Sequence, residues 1–391
     1  MIEILKSNPE LLIEYTDPIE GFKGWLAIDS LVHQICAGGL RVQKGLSKEC
    51  IIDLAATMSL KMRISGIRAD GAKSGIDYDP NSPGKKEALL RFIKAIRPYV
   101  MERYSMGPDL NTKMAELDEV TSKLAIPSIK MAVARAQGLP LPSFLDRYKV
   151  LDQTVGFSRL GNLRSGFGVS SACLGTMEFL NIEYPDAKVA IQGFGGLGAA
   201  AAYSLYSSKV NIIAIADHEK CLISTDGKSL DINLLVEESK NGLIPQVETN
   251  GVYLDRDAIY DVNCDVFVPA AIENVINSDN ALDLPYRAIV CGANLAISLE
   301  AEKLLNDRGV IVIPDLVAGA GGSLSMDGLF GPVETPTALD VLDHVDQKMR
   351  FIVQRVLKRC REENLTPREG ALKICEEAEL YPDAKPYGPF I

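Results

Sequence analysis

Two lysines, Lys61 and Lys73, lie twelve residues apart in a stretch rich in small residues. A lysine is ordinarily a solvated surface group. Lys73 differs because Gly71 and Gly75 flank it, which lets backbone and ligand come close. An ammonium desolvated beside another cation loses basicity, so such a lysine suits a general base near neutral pH. Asp109, in the turn GPDLNT (107–112), offers a carboxylate that could move protons or simply cap the next helix.

A second constellation is the string Gly193, Phe194, Gly195, Gly196, Leu197, Gly198, which reads G-x-G-x-x-G. It follows the apolar run KVAIQ and opens an alanine-rich segment, and the next apolar run ends in Asp217, 19 residues after Gly198. That context fits a dinucleotide turn. The first glycine permits the tight turn, the second lets backbone approach a pyrophosphate, and the third lets helix and strand pack closely. Phosphates would face the free N–H groups at the helix start. A carboxylate at Asp217 would accept ribose hydroxyls and repel a 2′-phosphate, favouring NAD over NADP, although Lys220 lies nearby.

The elements that must hold these groups can be read from periodicity. Residues 24–29 and 31–36 read as strands ending at the pair Gly38-Gly39. Ser47 caps a helix over 47–64, a glycine-punctuated segment follows, and a helix covers 85–103. Residues 139–164 read as a linker. Apolar runs at 188–194, 211–217, 264–271, 288–293 and 310–322 alternate with helical segments, which implies a parallel sheet covered on both faces. Residues 339–360 and 367–379 read as helices.

The chain has 391 residues, enough for two or three domains. Its net charge is 41 − 52 = −11, with no basic stripe, which argues against nucleic acid and anionic membrane as partners. Eight scattered cysteines without a CxxC pair read as free thiols in a reducing compartment. Three histidines without ligand spacing argue against a zinc site, and no metal is expected. No signal peptide is read in MIEILKSNPE, and no apolar run is long enough to span a bilayer, so a cytoplasmic protein is expected.

With these residues in view, the chain resembles the Glu/Leu/Phe/Val amino acid dehydrogenase superfamily over nearly its whole length. The segments that carry the likeness are AGGLRV (37–42), MSLKMRISGIRADGAKSGIDYDP (58–80), GPDLNT (107–112), RSGFGV (164–169), AIQGFGGLG (190–198), DVFVPAA (265–271), CGAN (291–294) and IPDLVAGAGG (313–322). The resemblance implies oxidative deamination of an L-amino acid to a 2-oxo acid and ammonia, with reduction of a nicotinamide. It assigns Lys61 to the substrate α-carboxylate, Lys73 to activation of water, and Asp109 to proton transfer at the amine. Ser165 stands where the family usually has a threonine that contacts the nicotinamide carboxamide. Asn294 matches a residue near the nicotinamide ribose, and Ala270 joins the nucleotide side.

Glutamate-specific members carry a lysine immediately before the pair matched by Gly38-Gly39, and a serine where this chain has Met326. Here the first position is Ala37. The reading is therefore a neutral, apolar side chain and not glutamate, with Ala37, Gly38, Gly39, Gly107, Ser323 and Met326 on the substrate side, as in the leucine and phenylalanine branch. Met58 follows that branch too. The chain departs from the family at Asp70, Gly161, Ser165 and Gly319. Asp70 could raise the pKa of Lys73, or bind a basic or modified substrate. A regulatory nucleotide-binding homologue is the remaining alternative.

The expected fold is α/β with two domains. Residues 1–150 with the C-terminal helices 332–391 form a substrate-binding and oligomerisation domain. Residues 151–331 form a Rossmann domain, with a cleft between the two that closes over substrate. A homo-oligomer is expected.

Overall fold

The computed structural model describes residues 8–388; the first seven residues, on which the expectation of no signal peptide rests, lie outside the described residues. The chain divides into two units. One comprises the chain up to Tyr148, together with Phe330–Glu334 and the chain from Ala378 on; the other comprises Lys149–Leu329 and Thr335–Glu377.

The first unit contains β1 (Leu11–Thr16), β2 (Lys23–Ile28), β3 (Cys36–Val42), α1 (Lys48–Ile64), β4 (Asp70–Ile76), α2 (Lys85–Ala95), α3 (Arg97–Glu102), β5 (Tyr104–Pro108), α4 (Met114–Ser122), α5 (Met131–Gln137) and α6 (Leu141–Tyr148). The sheet order is β1-β2-β4-β3-β5, with β3 parallel to both β4 and β5. Strand alternation sends Leu26 and Ile28 into a core with Phe92, Val100 and Leu117, while Trp25 and Ala27 meet Ile51 and Ala55 of α1 on the other face. The Ser47 hydroxyl accepts from the Cys50 amide and starts α1 where expected.

Three local expectations change. Residues 31–35 are a turn, and the strand begins at Cys36 and runs through Gly38-Gly39. The pair belongs inside the strand because a Cβ on Gly38 would overlap the Ala72 carbonyl oxygen of β4. The glycine-punctuated segment is likewise a buried strand, β4. The helix expected over 85–103 breaks at Ile96, because Pro98 lacks the N–H that would continue it.

The second unit contains β6 (Thr154–Val155), β7 (Ser158–Arg159), α7 (Leu160–Phe179), β8 (Lys188–Gln192), α8 (Gly196–Ser207), β9 (Asn211–Ala216), β10 (Lys220–Ser224), α9 (Ile232–Glu238), β11 (Gly251–Asp255), β12 (Val266–Pro269), β13 (Ala288–Val290), α10 (Leu299–Asp307), β14 (Ile311–Ile313), α11 (Asp315–Ala318), α12 (Gly321–Phe330), α13 (Ala338–Glu363) and α14 (Pro367–Glu376). The segment expected as a linker over 139–164 is mostly α6, a 3-10 turn, the β6–β7 hairpin and the start of α7.

The main sheet has the order β11-β10-β9-β8-β12-β13-β14. Strands β8, β9, β12, β13 and β14 are parallel, and an antiparallel pair, β10 and β11, extends the edge at β9. The chain leaves β8 toward β9 on one side, and β12 lies on the other. Their carboxyl ends therefore form the switch point at which open α/β sheets bind ligands.

The C-terminal helices differ from the expectation that residues 332–391 return to the first unit. Helices α13 and α14 belong to the second unit, and of this stretch only the short segment ending at Glu334 and the chain from Ala378 join the first. The reason is local packing. Gly168 and Gly175 leave α7 bare, so that a Cβ at Gly175 would lie 3.3 Å from Val353 Cβ of α13. Gln354 then donates to the Gly175 carbonyl at 2.8 Å. Arg368 of α14 pairs with buried Glu302 of α10 at 2.8 Å.

Candidate active site

In the first unit the parallel strands β4, β3 and β5 bring residues 73, 39 and 107 level. Ala37 pairs with Gly71 and Leu40 with Ser74, so Gly39 stands beside Lys73; Gly39 in turn pairs with Gly107. A Cβ on Gly39 would lie 2.8 Å from Asp109 Cβ, so the glycine makes room for that acid. The Tyr104 hydroxyl rises through the core, bonds Ser74 Oγ at 3.0 Å and donates to the Gly39 carbonyl at 3.2 Å. The turn after β5 is fastened to β3. Asp109 N–H donates to Thr112 Oγ1, whose hydroxyl donates to the Leu40 carbonyl, and Asn111 donates to the Val42 carbonyl.

Lys73 Nζ lies 2.9 Å from Asp109 Oδ1, and Arg41 Nε donates to Asp109 Oδ2 at 2.7 Å. All three side chains are buried or nearly so. Burial alone would raise the Asp109 pKa, but the Lys73 and Arg41 cations hold it well below the usual carboxylate range. This arrangement is an ionised acid against an ammonium in a desolvated place, fit to exchange protons with an amine. It does not serve as a helix cap, since α4 starts at Met114 with Lys113 as its capping residue.

Lys61 is buried on α1. That helix comes onto β4 backbone to backbone: Gly71 N–H donates to Ser59 Oγ at 2.9 Å, and a Cβ on Gly71 would meet the Ala55 carbonyl oxygen. Two residues of the site are not singled out by the sequence. Arg41 lies inside the segment AGGLRV, but only the fold shows that it shares Asp109 with Lys73. Lys130 caps α5 and is 5% exposed, with Nζ 3.5 Å from where a Gly107 Cβ would be. No motif marks it, because residues 107 and 130 meet only through tertiary pairing of Ile129 with Met106.

Two substrate-side expectations are corrected. Asp70 is three residues before Lys73 on one strand, so their side chains leave opposite faces. Its carboxylate accepts from Ser30 Oγ and His33 N–H, both at 2.8 Å, and its Oδ1 lies 2.9 Å from the His33 ring. Those bonds fix the turn over 31–35 and engage the Asp70 carboxylate there, on the face opposite Lys73. The exclusion of glutamate, which took Ala37 and Met326 to stand where a lysine and a serine are needed, is unsupported as well. Ala37 does sit before that pair, but the ammonium of Lys130 reaches Gly107, the partner of Gly39.

In the second unit the nucleotide turn has the expected form. Gly193 has φ +106°, a conformation that favours glycine, and its amide donates to the Ala216 carbonyl. A Cβ on Gly198 would overlap the Gly193 carbonyl oxygen, so helix α8 and strand β8 touch directly. Gly195 and Gly196 are exposed with open space where a Cβ would go, and no side chain caps the helix start. A pyrophosphate fits that cradle. Phe194 is buried, and Leu197 is half-buried beside Gly292. Ala270 and Gly292 close the floor, with Ala270 N–H on the Gln192 carbonyl and Gly292 N–H on that of Pro269.

Asp217 directly follows β9, yet much of its carboxylate is already engaged. Oδ1 accepts from the amides of Glu219 and Lys220, and Oδ2 from Ile244 at 2.6 Å. A carboxylate has about four acceptor sites, so one is left for a ribose hydroxyl. Lys220 Nζ lies over the Tyr253 ring, 5.1 Å from its centroid. Ser165 Oγ lies 3.3 Å from a Cβ position at Gly322, next to Ser323, while Met326 is buried further along α12. Arg164, not foreseen, donates to the Gly322 carbonyl and to Ser325 Oγ. Asn294 is half-buried in the loop after β13. Gly319 ends α11, and Gly161 packs near the Leu151 carbonyl.

All eight cysteines are free. Among the described residues no helix is long and apolar enough to cross a membrane, and no cluster of three His, Cys, Asp or Glu is placed to hold a metal.

Comparison with known proteins gives the same architecture. The profile described as Glutamate/Leucine/Phenylalanine/Valine dehydrogenase matches residues 160–377, and the one described as Glu/Leu/Phe/Val dehydrogenase, dimerisation domain, matches residues 9–125. The chain is 28% identical over 334 residues to NADP-specific glutamate dehydrogenase A1 of Halobacterium salinarum, covering 82% of this chain and 76% of that protein. It is 30% identical over 294 residues to the catabolic NAD-specific glutamate dehydrogenase RocG of Bacillus subtilis, covering 73% and 65%. A hetero-hexameric glutamate dehydrogenase from Thermus thermophilus, in its Leu bound form, superposes with a TM-score of 0.77 at 23% identity, covering 96% and 91%. An L-tryptophan dehydrogenase from Nostoc punctiforme superposes with a TM-score of 0.60 at 17% identity, covering 96% and 97%. The chain belongs to the glutamate/leucine/phenylalanine/valine dehydrogenase family, and its activity is that of an amino acid dehydrogenase using a nicotinamide nucleotide.

Proposed function

We propose that the protein oxidatively deaminates an L-amino acid to the 2-oxo acid and ammonia, as a homo-oligomer, with NAD as hydride acceptor. The observation that carries this reading is the buried pair Lys73 Nζ–Asp109 Oδ1 at 2.9 Å. Lys61 holds the substrate α-carboxylate. Asp109, ionised between two cations, accepts a proton from the substrate ammonium and frees the nitrogen lone pair to form the C=N bond. A bound nicotinamide nucleotide would supply the acceptor for the α-carbon hydride. Lys73, after releasing its own ammonium proton to solvent, takes a proton from the water that attacks the imine carbon and returns it as ammonia leaves. Ser165 would offer its hydroxyl to the carboxamide, Asn294 would serve the nicotinamide ribose, and the turn 193–198 would hold the pyrophosphate.

NAD is favoured over NADP because the Asp217 carboxylate repels a 2′-phosphate and Lys220 is drawn to Tyr253. Both kinds of nucleotide specificity occur among the relatives. The test is the appearance of reduced nicotinamide with each common L-amino acid, with NAD and separately with NADP, at alkaline pH. NAD-linked turnover is expected. Silence across the panel, with nucleotide binding intact, would replace this reading with a regulatory homologue.

A further inference from the structure

We infer that Asp315, anchored by Arg368 of α14, is a positioning residue for the nucleotide: it sets the main chain of the loop after β13 so that Asn294 meets the nicotinamide ribose. This inference rests on the dehydrogenase reading, which assigns NAD to the turn 193–198. The loop is shaped by main-chain bonds on both sides of Asn294. Before it, Gly292 N–H and Ala293 N–H donate to the Pro269 carbonyl at 3.0 and 2.9 Å. After it, Leu295 has φ +54°, in the left-handed region that a leucine rarely adopts. Such a conformation persists only where the surroundings hold it. Two bonds do so. Asn274 N–H donates to the Leu295 carbonyl at 2.8 Å, and Leu295 N–H donates to Asp315 Oδ2 at 3.2 Å. The Leu295 side chain is 48% exposed, so packing contributes little to the hold. Asn294, half-buried, thus stands between two pinned neighbours.

Asp315 is the first residue of the four-residue helix α11 and is buried. Its carboxylate works across the chain. Arg368 Nη2 lies 3.6 Å from Asp315 Oδ1 and 2.8 Å from Oε2 of Glu302, which also accepts from Arg368 Nε at 2.8 Å. One guanidinium therefore serves two buried carboxylates, and only Asp315 of the two reaches the loop. An amide bond to an ionised carboxylate is stronger than one between neutral groups, and the anchor fixes where that carboxylate stands. Helix α14 thus acts on Asn294 through Asp315 and the Leu295 main chain. The charge balance also makes the device testable. Removing Asp315 leaves Arg368 paired with Glu302, whereas removing Arg368 leaves two buried carboxylates facing each other.

The experiment is calorimetric binding of NAD and of adenosine diphosphate to the wild type, Asp315→Ala, Asp315→Asn, Asn294→Ala and the double variants of Asp315→Ala with Asn294→Ala and with Leu295→Gly. Adenosine diphosphate carries the adenosine and the pyrophosphate but no second ribose, so it does not sense Asn294. Asp315→Ala should raise the NAD Kd roughly tenfold or more while the Kd of adenosine diphosphate stays within about twofold. Asn294→Ala should give the same signature, and combining it with Asp315→Ala should add little, because both remove one interaction. Asp315→Asn keeps an acceptor oxygen for the Leu295 amide and should lose less. Leu295→Gly in the Asp315→Ala background should recover part of the loss, since glycine takes the left-handed conformation without a hold. Equal loss of both ligands in Asp315→Ala would mark the residue as structural and overturn the inference. NAD binding that ignores residue 315, or a double variant with Leu295→Gly that recovers nothing, would overturn it as well, with the dehydrogenase reading intact. A wild type that binds neither ligand would take both readings down together.

Discussion

The ends of the two sheets solve opposite problems with the same residue type. In the first unit, glycines at 39 and 107 clear a floor so that charged side chains can work above it. In the second, glycines at 195 and 196 clear the way for backbone N–H groups, and no side chain is asked to do chemistry there. One site is made of side chains whose charges set each other; the other is made of main chain whose shape is the function. Removing a side chain should therefore damage the first site, and adding one should damage the second.

The largest effect that sharpens this contrast is a pair of substitutions in the nucleotide turn. Gly198→Ala places a Cβ on the Gly193 carbonyl oxygen and should destabilise the second unit by about 1–3 kcal/mol while abolishing nucleotide binding. Gly195→Ala meets open space, so the melting temperature should hold while the nucleotide Kd rises at least about tenfold. Thermal unfolding and nucleotide titration of both variants read this directly. Equal loss of stability in the two would show that the turn is a packing feature and not a cradle.

A smaller effect probes the electrostatics of the first site. Asp109 has a depressed pKa because Lys73 and Arg41 outweigh its burial. Its charged form, and the stability and activity tied to it, is present above the ordinary carboxylate value and lost as pH falls through the lowered one. Arg41→Met removes one cation, so the loss should begin at higher pH, by roughly one unit or more. An acid limb of kcat/KM that does not move in Arg41→Met would mean that Asp109 is not the group that titrates.

The same contrast explains what is legible in the sequence. The nucleotide turn is local: a strand, six residues and a helix start, all contiguous, so spacing alone locates it. Lys73 and Asp109 are legible through motifs, but their pairing with Arg41 depends on the long-range register of β3 between β4 and β5. Lys130 carries no motif, and only the pairing of Ile129 with Met106 brings it beside Gly107. Asp70 misleads because sequence distance to Lys73 says nothing about strand faces, and its partners Ser30 and His33 lie about forty residues away. Gly38-Gly39 looks like a strand end because glycine usually punctuates, whereas here it permits a close strand approach. The C-terminal helices are misplaced by sequence alone because the small residues of α7 that receive α13 lie far upstream in the chain.

The central claim is that the Lys73–Asp109 pair moves the protons while the turn 193–198 only holds the nucleotide. The most direct measurement is single-turnover reduction of NAD by Lys73→Ala and wild type, with the nucleotide Kd taken on the same samples. The account predicts a chemical step slowed by about 10²–10⁴-fold with Kd unchanged. A chemical step of wild-type speed in Lys73→Ala would contradict it.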